Sequence, residues 1–506
     1  MENVQYLSLV AVLSAFFLSW LLASFPETPA STKQLKEDEH RPLGGPKRWP
    51  LLGNFVSFSK ILNNPDRELL KLAMKYGATA MMWLGSQPVL IINSARDAKE
   101  LLDNRGVIYS DRPSQNNFRQ RAWPYRLLGV GVGPQFRLLR NVYHRLLGEQ
   151  QSIKFRDYQD YESTVMLKDL LEAPQKFLAH SERFSLSVMF CTIYGVRLAQ
   201  LDHPIMVDFY NVWAEMLHYF QPGTLLIDYF PILEKLPEKF QPWVKIASNL
   251  QKRESVLHRA FLRTLHMQIE AGTAPNCFGA ELTKIQKNEN INDDQAIGIL
   301  GMLIGAGADA TSSILQTFFK IMAMNPGAFR AAQEELDRVV GPSRLPTWED
   351  QPNLPYVRAL IKEVHRWAPI GSLGVPHATS EEDSYHGTRI PQGTIVFPNL
   401  TVLNRDPEVY KDPYEFCPER FLEDDLHAAA SANQSDFRQR DHFHYGFGRR
   451  ICQGIFVAEA SLYITISRII WAFDVTPQPG ATPLDMGDKT RKSHSFVTRM
   501  YHVPGD

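Results

Sequence analysis

From Asn3 to Pro26 the chain carries no charged residue, and Val4–Phe25 is mostly Leu, Val, Ala, Phe and Ser with Trp20 near its end. About 20 such residues suffice to cross a bilayer as a helix, so residues 1–25 predict a transmembrane anchor. A cleavable signal peptide would have a basic leader and a shorter apolar run. Here only Glu2 precedes the run, whereas Lys33, Lys36, Arg41, Lys47 and Arg48 follow it. That asymmetry of positive charge puts the downstream chain in the cytosol. Residues 26–53 contain Pro26, Pro29, Pro42, Gly44, Gly45, Pro46, Pro50 and Gly53 and read as a stiff, non-helical hinge.

Residues 54–506 read as one mainly helical unit with small β-sheets. Alternating apolar and polar positions predict short strands near 79–92 and 387–397. The stretch 291–324 predicts a long helix, capped by Asn292 or Asp293 and ended by Asn325-Pro326. Its middle, Ala296 to Gly307, is apolar all round, which places it through the centre of the body.

Composition changes this picture little. Apolar residues make up 44% of 506 and charged residues 22%, with a formal net charge of −1. A large core that encloses a cofactor is compatible with this, and nothing in the charge balance points to nucleic acid. Four cysteines, Cys191, Cys277, Cys417 and Cys452, are far apart and form no CxxC pair. A disulfide framework and a thiolate zinc site are both disfavoured.

Cys452 lies in YGFGRRICQG, Tyr445–Gly454, just before a helix predicted over Phe456–Trp471. A helix N-terminus favours a thiolate, and the glycines permit close backbone approach or positive φ. A Gly/Arg-rich turn around a buried cysteine would also fit this run. The loop resembles the cysteine loop of the cytochrome P-450 family, F-x-x-G-x-R-x-C-x-G. Gly448, Arg450, Cys452 and Gly454 match; Tyr445 stands where Phe is usual, and Gln453 where Pro is common. The resemblance implies a mainly α cytochrome P-450 fold behind the N-terminal helix, binding haem b (iron protoporphyrin IX). Cys452 would be the axial iron ligand and Arg450 would meet a haem propionate.

Other runs support the resemblance. Glu363 and Arg366 form an E-x-x-R on one helical face, and Arg420 of PERF completes the family's buried structural triad. GPQFRLLRN, Gly133–Asn141, resembles the helix bearing W-R-x-x-R, with Arg137 and Arg140 expected toward a propionate and Phe136 in place of Trp. His377 is expected at the other propionate. Ala306–Thr311, AGADAT, resembles the oxygen-binding run. Gly307 would leave room for dioxygen, and Asp309 would relay protons. The family's threonine after the acid is here Ala310, so Thr311, a bound water or a substrate hydroxyl would have to substitute.

By this resemblance the chain is a monooxygenase of fungal secondary metabolism, acting on an apolar small molecule. Coupling, dehydration or rearrangement at the same haem-thiolate is the alternative, and a haem carrier a third. Phe118, Trp123, Trp213, Phe220 and Phe230 are expected to roof an apolar pocket. Electrons would come from NADPH–cytochrome P-450 reductase, with cytochrome b5 as an optional second donor. Arg137, Arg140, Arg145, Arg438, Arg440, Arg449 and Arg450 are expected on the docking side. The expected setting is the endoplasmic reticulum membrane, single-pass, with the catalytic domain in the cytosol.

Overall fold

The computed structural model describes residues 43–476 apart from 114–116, 123, 201–202 and 221–222. The expected anchor, the first part of the hinge and Trp123 lie outside the described residues. The principal helices are α1 (Phe55–Asn63), α2 (Pro65–Tyr76), α3 (Pro134–Leu147), α4 (Arg156–Glu172), α5 (Phe177–Tyr194) and α6 (Pro204–Phe220). They continue with α7 (Pro242–Glu270), α8 (Phe278–Glu289), α9 (Asp293–Met324), α10 (Pro326–Val339), α11 (Pro355–Trp367) and α12 (Ile455–Ala472). The strands are β1 (Thr79–Leu84), β2 (Gln87–Ile92), β3 (His377–Ala378), β4 (Asp383–Tyr385), β5 (Thr388–Ile390) and β6 (Ile395–Pro398).

The predicted central helix is α9. Its start is a capping box: the Asn292 side chain accepts from the Gln295 N–H at 2.9 Å, and the Asn292 N–H donates to the Gln295 side chain at 2.8 Å. Asp293 and Asp294 in the first turn complement the helix dipole. With no polar face to turn outward, the helix is packed by α5 and α7 and by α10–α12. Its first half shares a core with α3, α5 and α8, and its second half shares another with α10, α11 and α12. Among the described residues two helices, α9 and α12, are long and apolar enough to cross a membrane, but both are mostly buried in the body.

A four-stranded sheet runs in the order β1–β2–β6–β3. β1 and β2 form an antiparallel pair, β2 runs parallel to β6 with Leu90 opposite Val396, and β3 is antiparallel to β6 with His377 opposite Val396. The parallel pairing ties the start of the domain to a segment some three hundred residues later. Pro88 to Ile92 are continuously buried, as expected for a strand covered on both faces. Residues 43–53, read as the end of the hinge, are docked along β1. The Met81 N–H donates to the Gly44 carbonyl at 2.8 Å, and the Asn54 side chain donates to the carbonyls of Pro46 and Lys47 at 3.0 and 2.9 Å. A Cβ on Gly45 would fall 1.8 Å from the Met81 carbonyl oxygen, so only glycine allows this approach.

Candidate active site

Cys452 stands three residues before the first residue of α12, held by a short turn at Gly448–Arg450. Its N–H donates to the Tyr445 carbonyl at 2.9 Å, and the Gly454 N–H donates to its sulfur. Gly448 has φ +44°, and a Cβ there would fall 2.6 Å from the Leu102 carbonyl oxygen. Gly454 has φ −90°, so the positive φ allowed for it in the sequence is not used. A Cβ at Gly454 would meet nothing within 4 Å.

Burial pushes the Cys452 thiol up, against the smaller opposing effects of the Gly454 N–H and of Arg140. Yet the residue is exposed by surface area. Both observations hold when the sulfur lies deep in the fold and borders an unfilled space. A desolvated thiol is poorly ionised unless a cation binds it.

The middle of α9 shows the same kind of opening. Ala306 is exposed and Ala310 partly so, one turn apart, while Gly305, Ala308 and Asp309 are buried. The helix is roofed on both sides of that stripe. A Cβ on Gly305 would fall 2.0 Å from the Trp213 ring, and one on Gly307 would fall 2.5 Å from the Met189 sulfur. Gly307 is therefore turned toward Met189, and Ala306 and Ala310 hold the open face. Thr311 is buried at 8% exposure, off that stripe, and Asp309 is fully buried with its carbonyl accepting from the Ser312 hydroxyl at 3.1 Å. Thr311 lies about 100° around the helix from Ala310, since successive helix residues turn by that angle.

Cations gather beside the loop. Arg450 donates to the carbonyls of Ser110, Leu127 and Val130 at 2.7, 3.1 and 2.8 Å, and its guanidinium lies 4.0 Å over the Phe136 ring. Phe136, unable to donate as Trp would, serves as a platform for the charge. Arg140 donates to the Ile451 carbonyl at 3.1 Å. The His377 Nδ1 is 2.8 Å from the Tyr109 carbonyl oxygen, and His377 is buried. Arg112 joins them, fully enclosed and donating to the carbonyls of Leu128 and Pro376 at 2.8 and 2.6 Å. Burial and then repulsion by Arg450 push Arg112 down; burial and then Arg112 push His377 down to about 3. Arg450 is pushed down to about 10 by burial, opposed by Asp111. Such a group of three guanidiniums and an imidazole, partly or fully buried, with Asp111 as the carboxylate acting on Arg112 and Arg450, fits a dianionic ligand. Arg137 stands apart, exposed on the outer side of α3.

Arg112 was not foreseen. It sits inside YSDRP, where nothing in local periodicity distinguishes it from a surface turn; only the return of the chain at Pro376 buries it. The docking set also thins: Arg440 is buried against the Phe443 and Phe447 rings, and Arg450 is turned inward. Arg137, Arg145, Arg438 and Arg449 remain exposed.

Behind the loop, Glu363 and Arg366 form a two-pronged pair with both bonds at 2.6 Å and both side chains fully buried. Arg420 approaches the same carboxylate at 3.3 Å, completing the expected triad. Tyr445 is buried, and among the described residues its hydroxyl has no hydrogen-bond partner. It stacks near His365, His442 and His444 and borders a cavity of about 440 Å³ shared with Glu459, Asp441 and Lys362. Of the expected roof aromatics, Trp213 and Phe220 line a second cavity, whereas Phe118 belongs to a packed core and Phe230 packs beside the sheet.

The residues fit a haem on three grounds: a sulfur deep in the fold that keeps accessible surface, free room beside Gly454, and basic side chains suited to paired carboxylates. Comparison with known proteins agrees. The cytochrome P-450 family profile matches residues 43–500. The cytochrome P-450 monooxygenase polD of Polytolypa hystricis is 61% identical over 445 residues, covering 88% of this chain and 86% of that protein. The cytochrome P-450 monooxygenases fogE of Aspergillus ruber and virE of Hypocrea virens are 35% and 34% identical, each over 85% of this chain and 79% and 78% of their own lengths. A sulfur set before a helix, a cationic cluster and a match over nearly the whole chain lead to one conclusion: this chain belongs to the cytochrome P-450 family and is a haem-thiolate monooxygenase.

Proposed function

We propose that the chain oxidises an apolar small molecule, an intermediate of fungal secondary metabolism, by RH + O₂ + NADPH + H⁺ → ROH + H₂O + NADP⁺. Electrons pass from NADPH through a cytochrome P-450 reductase, and cytochrome b5 is an optional second donor. The prosthetic group would be haem b, held through the Cys452 sulfur. When bound, a haem-thiolate iron supplies the activation of dioxygen, the thiolate pushing electron density toward the metal.

The chain's own residues do the rest. The Gly454 N–H holds the sulfur and offsets part of its charge. Arg112, Arg140, Arg450 and His377 would hold the propionates, whose charge would offset the repulsion of Arg450 with Arg112 and Arg140. The small side chains Ala306 and Ala310 leave room on the oxygen side. Asp309 supplies protons toward that space. Without a hydroxyl at 310, Thr311, a water or a substrate hydroxyl would complete the path.

Exposed apolar residues support membrane attachment of a cytosolic domain at the endoplasmic reticulum. Trp49, Leu51, Phe55 and Val56 follow the expected anchor, and Leu226, Ile232, Leu236 and Phe240 lie on the α6–α7 connection. Phe55 meets Tyr229 at 5.4 Å between ring centroids, which joins the two groups into one patch. An exposed patch of this kind is a site for lipid contact.

The observation that carries the reading is the buried yet open sulfur of Cys452 beside the cationic cluster. The test is a ferrous–CO spectrum of purified wild type and Cys452→Ser, followed by product analysis with reductase and NADPH. Loss of the thiolate-type Soret band in the variant and NADPH-dependent oxygenated product in wild type are expected. Turnover without NADPH would replace hydroxylation with dehydration or rearrangement.

A further inference from the structure

The second cavity is not uniformly apolar. Leu128, Met216, Leu217, Phe220 and Met302 form most of its wall. Arg126 and Trp213, whose side chains carry hydrogen-bond donors, complete the lining. Trp213 is 5% exposed, and its Nε1–H has no partner among the described residues. Its ring lies flat on α9 at Gly305, the residue before the exposed Ala306. A buried donor left unpaired costs about 1–3 kcal/mol, and apolar substrates would leave that cost in place.

Arg126 is held in position from behind. It is 4% exposed, and its Nη2 pairs with Glu254. Glu254 stands 3.7 Å from the His258 Nε2, and the His258 Nδ1 is 3.1 Å from the Tyr194 hydroxyl. Burial and then Arg126 push His258 down to about 3, so it stays neutral. Glu254 and His258 lie so close to α9 that a Cβ on Gly301 would meet each at 3.0 Å. This ladder fixes the guanidinium beside the Trp213 ring, 6.0 Å from its centroid. The cavity has about 20 Å³ of free volume, room for one water, and its lining side chains offer no acceptor beyond the weak thioethers of Met216 and Met302.

We propose that the substrate carries an sp² oxygen, of a carboxylate or carbonyl group, which enters this cavity and accepts from the Trp213 indole N–H and the Arg126 guanidinium, so that the apolar remainder extends along α9 toward Ala306 and Ala310. This deepens the oxidation assigned above and rests on it. Arg126 and Trp213 are specificity residues. They sit at the far end of the substrate from the reacting carbon and fix which carbon faces the open stripe.

The test uses full-length holoenzyme and optical difference titrations with dodecanoic acid, 2-dodecanone and dodecane. At least one oxygen-bearing probe binds wild type more tightly than dodecane. Trp213→Phe keeps an aromatic ring and removes the N–H; it weakens the preferred oxygenated probe by roughly 3–10-fold, the worth of one hydrogen bond, and leaves dodecane unweakened. Leu217→Ala, a change of shape alone, moves all three probes together. Preference for the acid assigns a carboxylate, and equal binding of acid and ketone assigns a carbonyl. Dodecane binding as tightly as both, no probe binding, or Trp213→Phe weakening all three alike would overturn the proposal. Absence of the thiolate-type Soret band would instead overturn the haem-thiolate reading on which it rests.

Discussion

Replacing Arg366 by alanine strips the most connected cation behind the cysteine loop. The guanidinium makes two bonds of 2.6 Å to Glu363 and donates to the carbonyls of Asn404, Pro413 and Glu415 at 2.9, 2.8 and 2.9 Å. After substitution, Glu363 stays fully buried with Arg420 at 3.3 Å and the Cys417 N–H at 2.7 Å as its remaining partners. Breaking a buried ion pair from one side costs about 3–5 kcal/mol, and orphaned carbonyls add about 1 kcal/mol or more each. Against a net stability of about 5–15 kcal/mol for a typical protein, such a loss removes most of the folded population. The assay is haem bound per polypeptide after purification, with the thermal midpoint of whatever folds. Little holoprotein is expected from Arg366→Ala. Arg366→Lys should recover only part, because an ammonium cannot form the fork. The double variant Glu363→Leu/Arg366→Met leaves no stranded charge, so it should exceed Arg366→Ala in yield. A normal yield of Arg366→Ala, or a double variant no better than the single one, would refute the argument from stranded charge.

Three further outcomes follow from the geometry. Burial raises the Glu459 carboxyl from 4.5 to about 7, so the fold holds a proton there that the unfolded chain has released; that contribution is fully present below pH 4.5 and is lost as pH rises through about 7. Glu459→Gln should therefore flatten the fall in thermal midpoint across this window, by an amount equivalent to at most roughly 3 kcal/mol, and parallel profiles for the two proteins would contradict it. Ala310→Thr puts a hydroxyl on the open stripe, and the ratio of product formed to NADPH consumed should rise; an unchanged ratio and product set would show that position 310 does not govern proton delivery. Gly448→Ala meets both a positive φ and the Leu102 carbonyl, so a lowered thermal midpoint and loss of roughly 1–3 kcal/mol in chemical unfolding are expected.

Local patterns in the sequence were enough for the elements that carry the chemistry. The cap at Asn292 and the stop at Pro326 bound α9, and alternation located β1, β2, β5 and β6, because these signals act within a few residues. The cysteine loop, the E-x-x-R pair and the helix with Arg140 were legible for the same reason: each is a short run whose residue types follow from its chemistry. The tertiary structure decided what depends on distant chain. It buried Arg112 beside Pro376, turned Gly307 toward Met189, left Ala306 and Ala310 on the open stripe, and set Arg126 and Trp213 into one cavity from different elements. Helical spacing gives the angle between two residues but not the direction that either one faces. That direction, and with it the line between a surface charge and a buried ligand anchor, is fixed only when the other helices pack.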